Sequence, residues 1–278
     1  MPYHIIIINI IGTYRDTVYF YYSKFNAVRK KKLKPGTCKK YTVLSCCILL
    51  FTAAAQANLP PLSDIEIQKV SGYLSSPPYG WNYAFDIGFS NLEVNVKMRI
   101  RLTGYDPSPA LESVWENGIE SMWSRRYDIV DDTFRYHVNF DTIFYDIYDP
   151  SIHHTVNVIY GVGRGNMLNW YTTTEWGSQY NGPYVAHEVG HMFSLYDEYS
   201  GGAVNPSNPL IDYTSIMGSL AGDIKERHYD PFLNWLQGKA PDRELVLGEY
   251  DPTWKIPEPA TILLFCFAGV LLRRRKHR

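Results

Sequence analysis

The sequence predicts an α+β fold in which helices pack on a sheet. Apolar residues alternate with polar ones over residues 94–102, which is the period of a half-buried strand. The same alternation recurs over residues 134–144 and 152–160 and predicts two further strands. Between the first two strands, apolar residues recur at helical spacing over residues 111–123, so we expect a helix that packs one face on the sheet.

The remaining elements follow from weaker patterns. Residues 58–89 are rich in Ser, Pro, Gly and Tyr, which predicts an extended approach with one short strand at 82–89. We expect residues 167–174 to form the edge strand, Gly182 and Pro183 to open a helix, and residues 228–236 to form a short helix. His153 and His154 are adjacent in the third strand, so their side chains point to opposite faces and are not expected to bind one ion together.

The helix that begins at Gly182 carries His187, Glu188 and His191. Two histidines four residues apart project from one helix face, so both imidazoles can reach one metal ion. Glu188 then stands beside that ion as a general base. The pattern is typical of zinc, which binds imidazole nitrogen at about 2 Å and, when catalytic, combines three protein ligands with a water molecule.

A third ligand is required, and Asp197 lies six residues beyond His191. On a continuous helix Asp197 would lie about 9 Å further along the axis and point away, so the helix must end near Ser194 and the chain must double back. His228 is the alternative third ligand, and Glu226 is a further candidate if the protein is a metallopeptidase of the gluzincin kind.

Residues 187–197, together with Ser215-Ile216-Met217-Gly218, resemble the metzincin metalloproteases. The metzincin pattern is His-Glu-x-x-His-x-x-Gly-x-x-His, followed by a tight turn that carries a methionine. In this chain Ser194 stands at the glycine position and Asp197 at the third histidine position, as in the snapalysin-like branch. The resemblance implies a metzincin-like sheet, an active-site helix, a methionine turn and an edge strand that holds a peptide substrate by backbone pairing.

The two ends of the chain carry targeting patterns. Residues 29–40 are basic, residues 41–54 are apolar, and Ala55-Gln56-Ala57 follows, which predicts a secretory signal peptide cleaved before Asn58. Residues 1–27 match no targeting pattern, and we expect translation to start further along, at Val28 or Leu33. The domain organisation is therefore an upstream extension with the signal peptide (1–57), a metallopeptidase domain (58–256) and a tail (257–278).

The tail consists of Pro257-Glu258-Pro259, an apolar run over residues 260–272 and a basic cluster over 273–278. This order resembles a PEP-CTERM sorting tail. The resemblance implies an exosortase as partner, in the inner membrane of a Gram-negative bacterium, and passage to the cell surface or the extracellular matrix. A plain membrane anchor is the alternative.

The domain between these ends is strongly acidic and contains no cysteine. Residues 58–256 contain 13 Lys or Arg and 26 Asp or Glu, a formal charge of −13, which disfavours nucleic acid and anionic membranes as partners. All four cysteines lie outside this domain, so a hydrophobic core must stabilise it without disulfides.

These patterns together predict an exported zinc endopeptidase with Glu188 as general base, acting on a protein or peptide. The alternative is a surface or matrix protein that keeps zinc for stability and acts by binding. An intact Glu188 favours the enzyme, because a structural zinc site has no use for a base.

Overall fold

The computed structural model describes residues 9–10, 20–24, 27–30 and 61–254. The chain divides into two compact units, Met1–Leu59 and Pro60–Arg278. The apolar stretch of the predicted signal peptide, its cleavage site and the sorting tail lie outside the described residues. Within the part that the structure describes, no helix has the length and apolar character needed to cross a membrane.

The described residues of the first unit form three short antiparallel strands in the order β1–β2–β3. Their bounds are Asn9–Ile10 for β1, Phe20–Lys24 for β2 and Ala27–Lys30 for β3.

The second unit is a mixed α+β structure, as predicted. Its strands are β4 (Ile65–Ser76), β5 (Tyr79–Ser90), β6 (Glu93–Gly104), β7 (Tyr127–Val130), β8 (Arg135–Tyr145), β9 (His154–Gly163), β10 (Asn169–Thr174) and β11 (Val246–Glu249). Its helices are α1 (Pro109–Trp123), α2 (Asn181–Met192) and α3 (Asp230–Lys239), with 3-10 turns at Ser178–Tyr180 and Glu226–Tyr229.

Strand β6 is the centre of the sheet, whose order is β10–β9–β6–β8–β7–β11. It pairs in parallel with β8 and, over its last residues, with β9. Its first residues pair antiparallel with β5, and β4 pairs with β5 in turn. One side of β6 therefore holds two partners in succession, the β4–β5 hairpin and then β9. The latter leads to β10 and to the helix that carries the histidines.

The core lies between the sheet and the helices and follows the predicted periodicities. Every second residue of β6 is buried: Val94, Val96, Met98, Ile100 and Leu102. Helix α1 begins after Ser108, whose hydroxyl accepts a hydrogen bond from the Leu111 backbone N–H, and it buries Trp115, Ile119 and Trp123. Burial of each such side chain stabilises the fold by roughly 2 to 3 kcal/mol.

Helices α1 and α2 approach each other closely at two glycines. A Cβ added to Gly118 would lie 2.4 Å from the Cα of Gly182, so larger residues would push the helices apart. The indole N–H of Trp123 also donates a 3.0 Å hydrogen bond to the carbonyl of Ala186 in α2. The core helix therefore positions the histidine helix directly.

Of the prediction over 58–89, the strand at 82–89 is present within β5, but the extended approach is wrong for residues 65–76, which form the twelve-residue strand β4. Most β4 side chains are exposed or half-buried, so neither face of the strand shows an apolar alternation. Pairing with β5 determines this strand instead, through backbone groups that leave no pattern in the sequence. The four-residue strands β7 and β11 also went unpredicted.

Candidate metal centre

Helix α2 places His187 and His191 one turn apart, with both imidazoles buried and their ring centroids 5.1 Å apart. The Nδ1 atom of His187 lies 2.8 Å from the carbonyl oxygen of Ile216, and Nδ1 of His191 lies 2.9 Å from that of Leu195. A carbonyl oxygen can only accept, so each Nδ1 carries the proton and donates. In the neutral ring, each Nε2 atom then carries a lone pair that can bind a metal ion.

The helix ends at Met192 and the chain doubles back, which confirms the predicted stop near Ser194. Ser194 adopts a φ of +75°, and the Leu195 backbone N–H donates to the carbonyl of Gly190 at 3.0 Å. A left-handed serine costs roughly 1 kcal/mol more than glycine, so the surrounding packing must hold the turn. Phe193 supplies that packing, because its ring contacts those of Phe85 and Phe232 at 5.7 and 5.6 Å.

The reversed chain brings Asp197 back to the two histidines. Its Oδ1 atom lies 3.3 Å from Nε2 of His187 and 3.3 Å from Nε2 of His191. Oδ2 accepts a 2.6 Å hydrogen bond from the Ala203 backbone N–H, whereas Oδ1 is buried without a hydrogen-bond partner among the described residues. These three side chains could therefore hold one metal ion, and they are the one such group found in the described part of the chain.

The electrostatics of the three side chains favour a bound cation. Burial raises the pKa of the Asp197 carboxyl, but the two histidines outweigh burial and hold that pKa well below its usual range. Burial lowers the pKa of His187, but Asp197 and Glu188 outweigh it and raise that pKa to about 9. The buried carboxylate therefore needs a positive charge beside it, from a proton or from a metal ion.

Glu188 lies on the same helix and is also buried, and burial raises the pKa of its carboxyl. With His187, His191 and Asp197 it lines an open cleft of about 1110 Å³. The predicted base and the predicted ligands therefore share one cavity.

Residues 215–218, for which the resemblance implies a methionine turn, form a hydrogen-bonded turn. The Gly218 backbone N–H donates to the carbonyl of Ser215 at 2.9 Å, and the Met217 backbone N–H donates to the Ser215 hydroxyl at 3.0 Å. Met217 is fully buried beneath α2, where a Cβ on Gly190 would lie only 2.5 Å from its sulfur. The turn therefore supports the helix and supplies the Ile216 carbonyl that orients His187.

His228, the alternative third ligand, contacts a different carboxylate. Its Nε2 atom lies 3.3 Å from Oε1 of Glu198 and 3.3 Å from the Ser215 hydroxyl. Neither His228 nor Glu226 belongs to the group formed by the two helix histidines and Asp197. Of the candidates for the third position, Asp197 is the one that the structure brings to both histidines.

An ion-pair network next to Asp197 was not predicted from the sequence. Arg227 donates two hydrogen bonds to the Glu198 carboxylate, at 2.7 and 2.6 Å, and a third to Asp212 at 2.6 Å. The Glu198 backbone N–H donates to the carbonyl of Met217 at 2.8 Å. Burial raises the pKa of Glu198, but Arg227 and His228 outweigh it and lower that pKa to about 2. The network thus ties the residue after Asp197 to the methionine turn.

The β4–β5 hairpin forms a cleft wall that the sequence also did not reveal. The indole N–H of Trp81 donates a 3.0 Å hydrogen bond to the carbonyl of His191, and its ring lies edge-on to the His191 ring at 5.3 Å. Near the hairpin tip, the Ser76 hydroxyl donates to the carbonyl of Val204 at 2.5 Å. The hairpin therefore contacts both the helix end and the loop that follows Asp197.

Strand β10 is the edge strand, as predicted, but helix α2 covers part of its backbone. The Asn181 side chain accepts from the Thr174 backbone N–H at 3.0 Å and donates to the carbonyl of Thr172 at 3.1 Å. The Tyr184 hydroxyl donates to the carbonyl of Asn169 at 3.0 Å. These groups cannot pair with a substrate strand while the side chains of α2 hold them.

Comparisons with models of protein families, with curated proteins and with solved structures found no match for this chain.

Proposed function

We propose that the protein is an exported zinc endopeptidase of the metzincin type. The observation that carries the proposal is the buried Oδ1 atom of Asp197, which faces two imidazole Nε2 atoms and has no hydrogen-bond partner among the described residues. A buried carboxylate oxygen in that position is costly unless a cation fills the space.

The donor set favours zinc among the common metals. Two imidazoles and one carboxylate form a frequent catalytic zinc set, whereas calcium and magnesium prefer oxygen ligands. The Asp197 oxygen lies 3.3 Å from both Nε2 atoms, and one ligand atom of each of the three residues lies within 4.8 Å of the others, so His187, His191 and Asp197 would hold the ion.

The chain's own residues supply the proton transfers and the orientation. Zinc held by His187, His191 and Asp197 would polarise the scissile carbonyl and acidify a water molecule. Glu188 takes the proton of the attacking water and delivers it to the leaving amine. Burial raises the pKa of Glu188, which makes the carboxyl a better base and suits both steps.

Substrate access follows from the cleft walls. Trp81 and the hairpin tip line one part of the cleft, and residues 164–169, which lead into β10, line another. Because Asn181 and Tyr184 hold backbone groups of β10, we infer that a peptide contacts residues 164–168 rather than extending the sheet along the whole strand.

The proposal includes export. It rests on the signal-peptide pattern before Asn58 and on the tail that resembles PEP-CTERM, which together imply passage through the inner membrane of a Gram-negative bacterium and handling by an exosortase.

The test compares the full-length wild-type protein with Glu188→Gln, purified in detergent and loaded with zinc. We expect both proteins to hold one zinc ion, and we expect the variant to cleave an unfolded protein substrate at least about 100-fold more slowly. Zinc content is measured by mass spectrometry and cleavage by release of new amino termini. If both proteins bind zinc and neither cleaves any substrate, the zinc-stabilised binding protein becomes the better explanation.

A further inference from the structure

The cleft contains a single Lys or Arg side chain, that of Arg164, among the described residues that line it. Arg164 follows Gly163, the last residue of β9, and lies in the loop that leads to β10. The other charged cleft residues are the two carboxylates, Glu188 and Asp197, and the two histidines. Arg164 is thus the one permanent cation in the cavity that holds the proposed zinc site.

Two aromatic residues flank Arg164. Its guanidinium carbon lies 5.8 Å from the centre of the Trp176 ring, within the range of a cation–π contact. Its side chain also interacts with the Tyr199 hydroxyl, which lines the same cleft. Tyr199 in turn lies beside His187, with ring centroids 6.3 Å apart. The cation is therefore close to the metal ligands and to the base.

No acidic partner neutralises Arg164 within the described residues. Each of the guanidiniums of Arg99, Arg227 and Arg243 forms an ion pair with a buried or half-buried carboxylate. Arg164 forms none in the part of the chain that the structure describes, although acidic residues outnumber basic ones two to one in residues 58–256. Its side chain lines the open cleft.

The chemistry of a guanidinium indicates what this group would bind. Its planar set of donors matches both oxygens of a carboxylate, and an aromatic face beneath it fixes its plane. A peptide carries carboxylates at Asp and Glu side chains and at its C-terminus. The strongly negative domain would repel such a substrate, so one cation in the cleft decides where an acidic group is accepted.

We propose that Arg164 binds a carboxylate of the peptide substrate close to the scissile bond. The inference rests on the proposed peptidase function and names its substrate class. An acidic side chain would make the enzyme an endopeptidase with acidic specificity. A free C-terminus would make it release short fragments from chain ends.

Binding is tested first, because it does not require turnover. The zinc-loaded, full-length Glu188→Gln protein is titrated with acetylated octapeptide pools of random sequence. One set is amidated and has Glu or Gln fixed at each position in turn, and a second set has neutral residues with a free C-terminus. We expect about 10-fold tighter binding of one carboxylate-bearing pool than of its neutral counterpart, a typical value for a hydrogen-bonded charge.

The double variant Glu188→Gln/Arg164→Gln should bind the acidic and neutral pools with a ratio near one. Lys239→Gln, which removes an exposed positive charge that does not line the cleft, should leave the 10-fold preference intact. Preference for internal Glu identifies a side-chain site, and preference for the free C-terminus identifies a terminal carboxylate site. Equal binding of all pools by Glu188→Gln would overturn the inference.

Cleavage of the same pools separates this inference from the proposed function. If the wild-type protein cuts acidic and neutral pools equally and Arg164→Gln does the same, the peptidase stands and the carboxylate site is wrong. If the wild-type protein cuts no pool but carboxylate binding depends on Arg164, the carboxylate site stands and the peptidase is wrong.

Discussion

Two regions of the molecule each place histidine against a buried aspartate, and they differ in the cation that neutralises the carboxylate. In the first, His153 Nε2 lies 3.1 Å from Oδ1 of Asp86, while Arg99 pairs with Oδ2 of the same carboxylate. In the second, His187 and His191 face the Asp197 oxygen, and no arginine or lysine among the described residues forms an ion pair with it. Arg99 therefore supplies the positive charge in the first region, whereas the second depends on a proton or a metal ion.

The backbone partner of each histidine accounts for the difference. The Arg99 backbone N–H donates to Nδ1 of His153 at 3.0 Å, so in the neutral ring the proton resides on Nε2, which lies 3.1 Å from Asp86. Carbonyl oxygens face Nδ1 of His187 and His191 instead, so in the neutral rings their Nε2 atoms carry lone pairs on the side of Asp197. Only the second tautomer leaves Nε2 able to bind a metal.

The largest expected effect is a difference in zinc content between variants of Asp197 and variants of Asp86. We expect Asp197→Ala to lose the zinc ion and all cleavage, and Asp86→Asn to retain one zinc per chain. Zinc at about 100 times its dissociation constant should stabilise the wild-type protein by about 2.7 kcal/mol and raise its Tm by on the order of 5 to 10 °C. Asp197→Ala should show no such increase. A full zinc ion in Asp197→Ala would remove this aspartate from the ligand set.

The second prediction concerns Asp86 and the stability of the fold. Asp86→Ala leaves Arg99 and His153 without their carboxylate in a largely buried position, so we expect the free energy of unfolding to fall by about 3 kcal/mol. Urea denaturation measures the loss, and zinc content serves as the control that should not change. A loss below about 1 kcal/mol would mean that the pair contributes no more than an exposed ion pair.

The third prediction concerns pH. His154 contacts the backbone of Ala84, and burial lowers the pKa of its imidazole to about 4. The unfolded chain takes up the proton near pH 6.5, whereas the folded protein does so only near pH 4. Stability from this group is therefore present above pH 6.5 and is lost as the pH falls, by about 2 kcal/mol between pH 7 and pH 5.

Urea denaturation across that range, with a chelator present to remove bound metal, measures this pH dependence. His154→Gln should lose about 2 kcal/mol less over the same range, because glutamine does not titrate. Identical pH slopes for the two proteins would show that His154 titrates normally.

The smallest expected effect concerns Arg227, which is near the metal centre but outside it. Arg227→Met removes the arginine that pairs with Glu198 beside the proposed ligand Asp197, and we expect zinc affinity to fall about 10-fold. Competition with a zinc-binding dye measures the affinity. Arg135→Gln, which breaks the pair with Asp128 elsewhere in the fold, is the matched control and should leave it unchanged.

The strands β6, β8 and β9 and the helix α1 were predictable because each buries one face, and a half-buried element repeats its apolar residues at its own period. The β4–β5 hairpin was not predictable in the same way, because few side chains of β4 are buried. Its backbone pairing with β5 leaves no side-chain pattern in the sequence. Arg164 and Trp81 were missed for a related reason. No local pattern distinguishes a cleft residue from any other loop or strand residue.

By itself, the sequence determined that two histidines and a glutamate share one helix face, because three- and four-residue spacing is a local property of a helix. Tertiary structure decided how these histidines are oriented. The carbonyl oxygen that faces Nδ1 of His187 belongs to Ile216, 29 residues away, and the indole that binds the backbone carbonyl of His191 belongs to Trp81, 110 residues away. Nδ1 of His191 faces the carbonyl of Leu195, a contact that depends on the reversal of the chain after the helix. Only the folded chain brings these groups together, because the helical spacing of the histidines does not specify them.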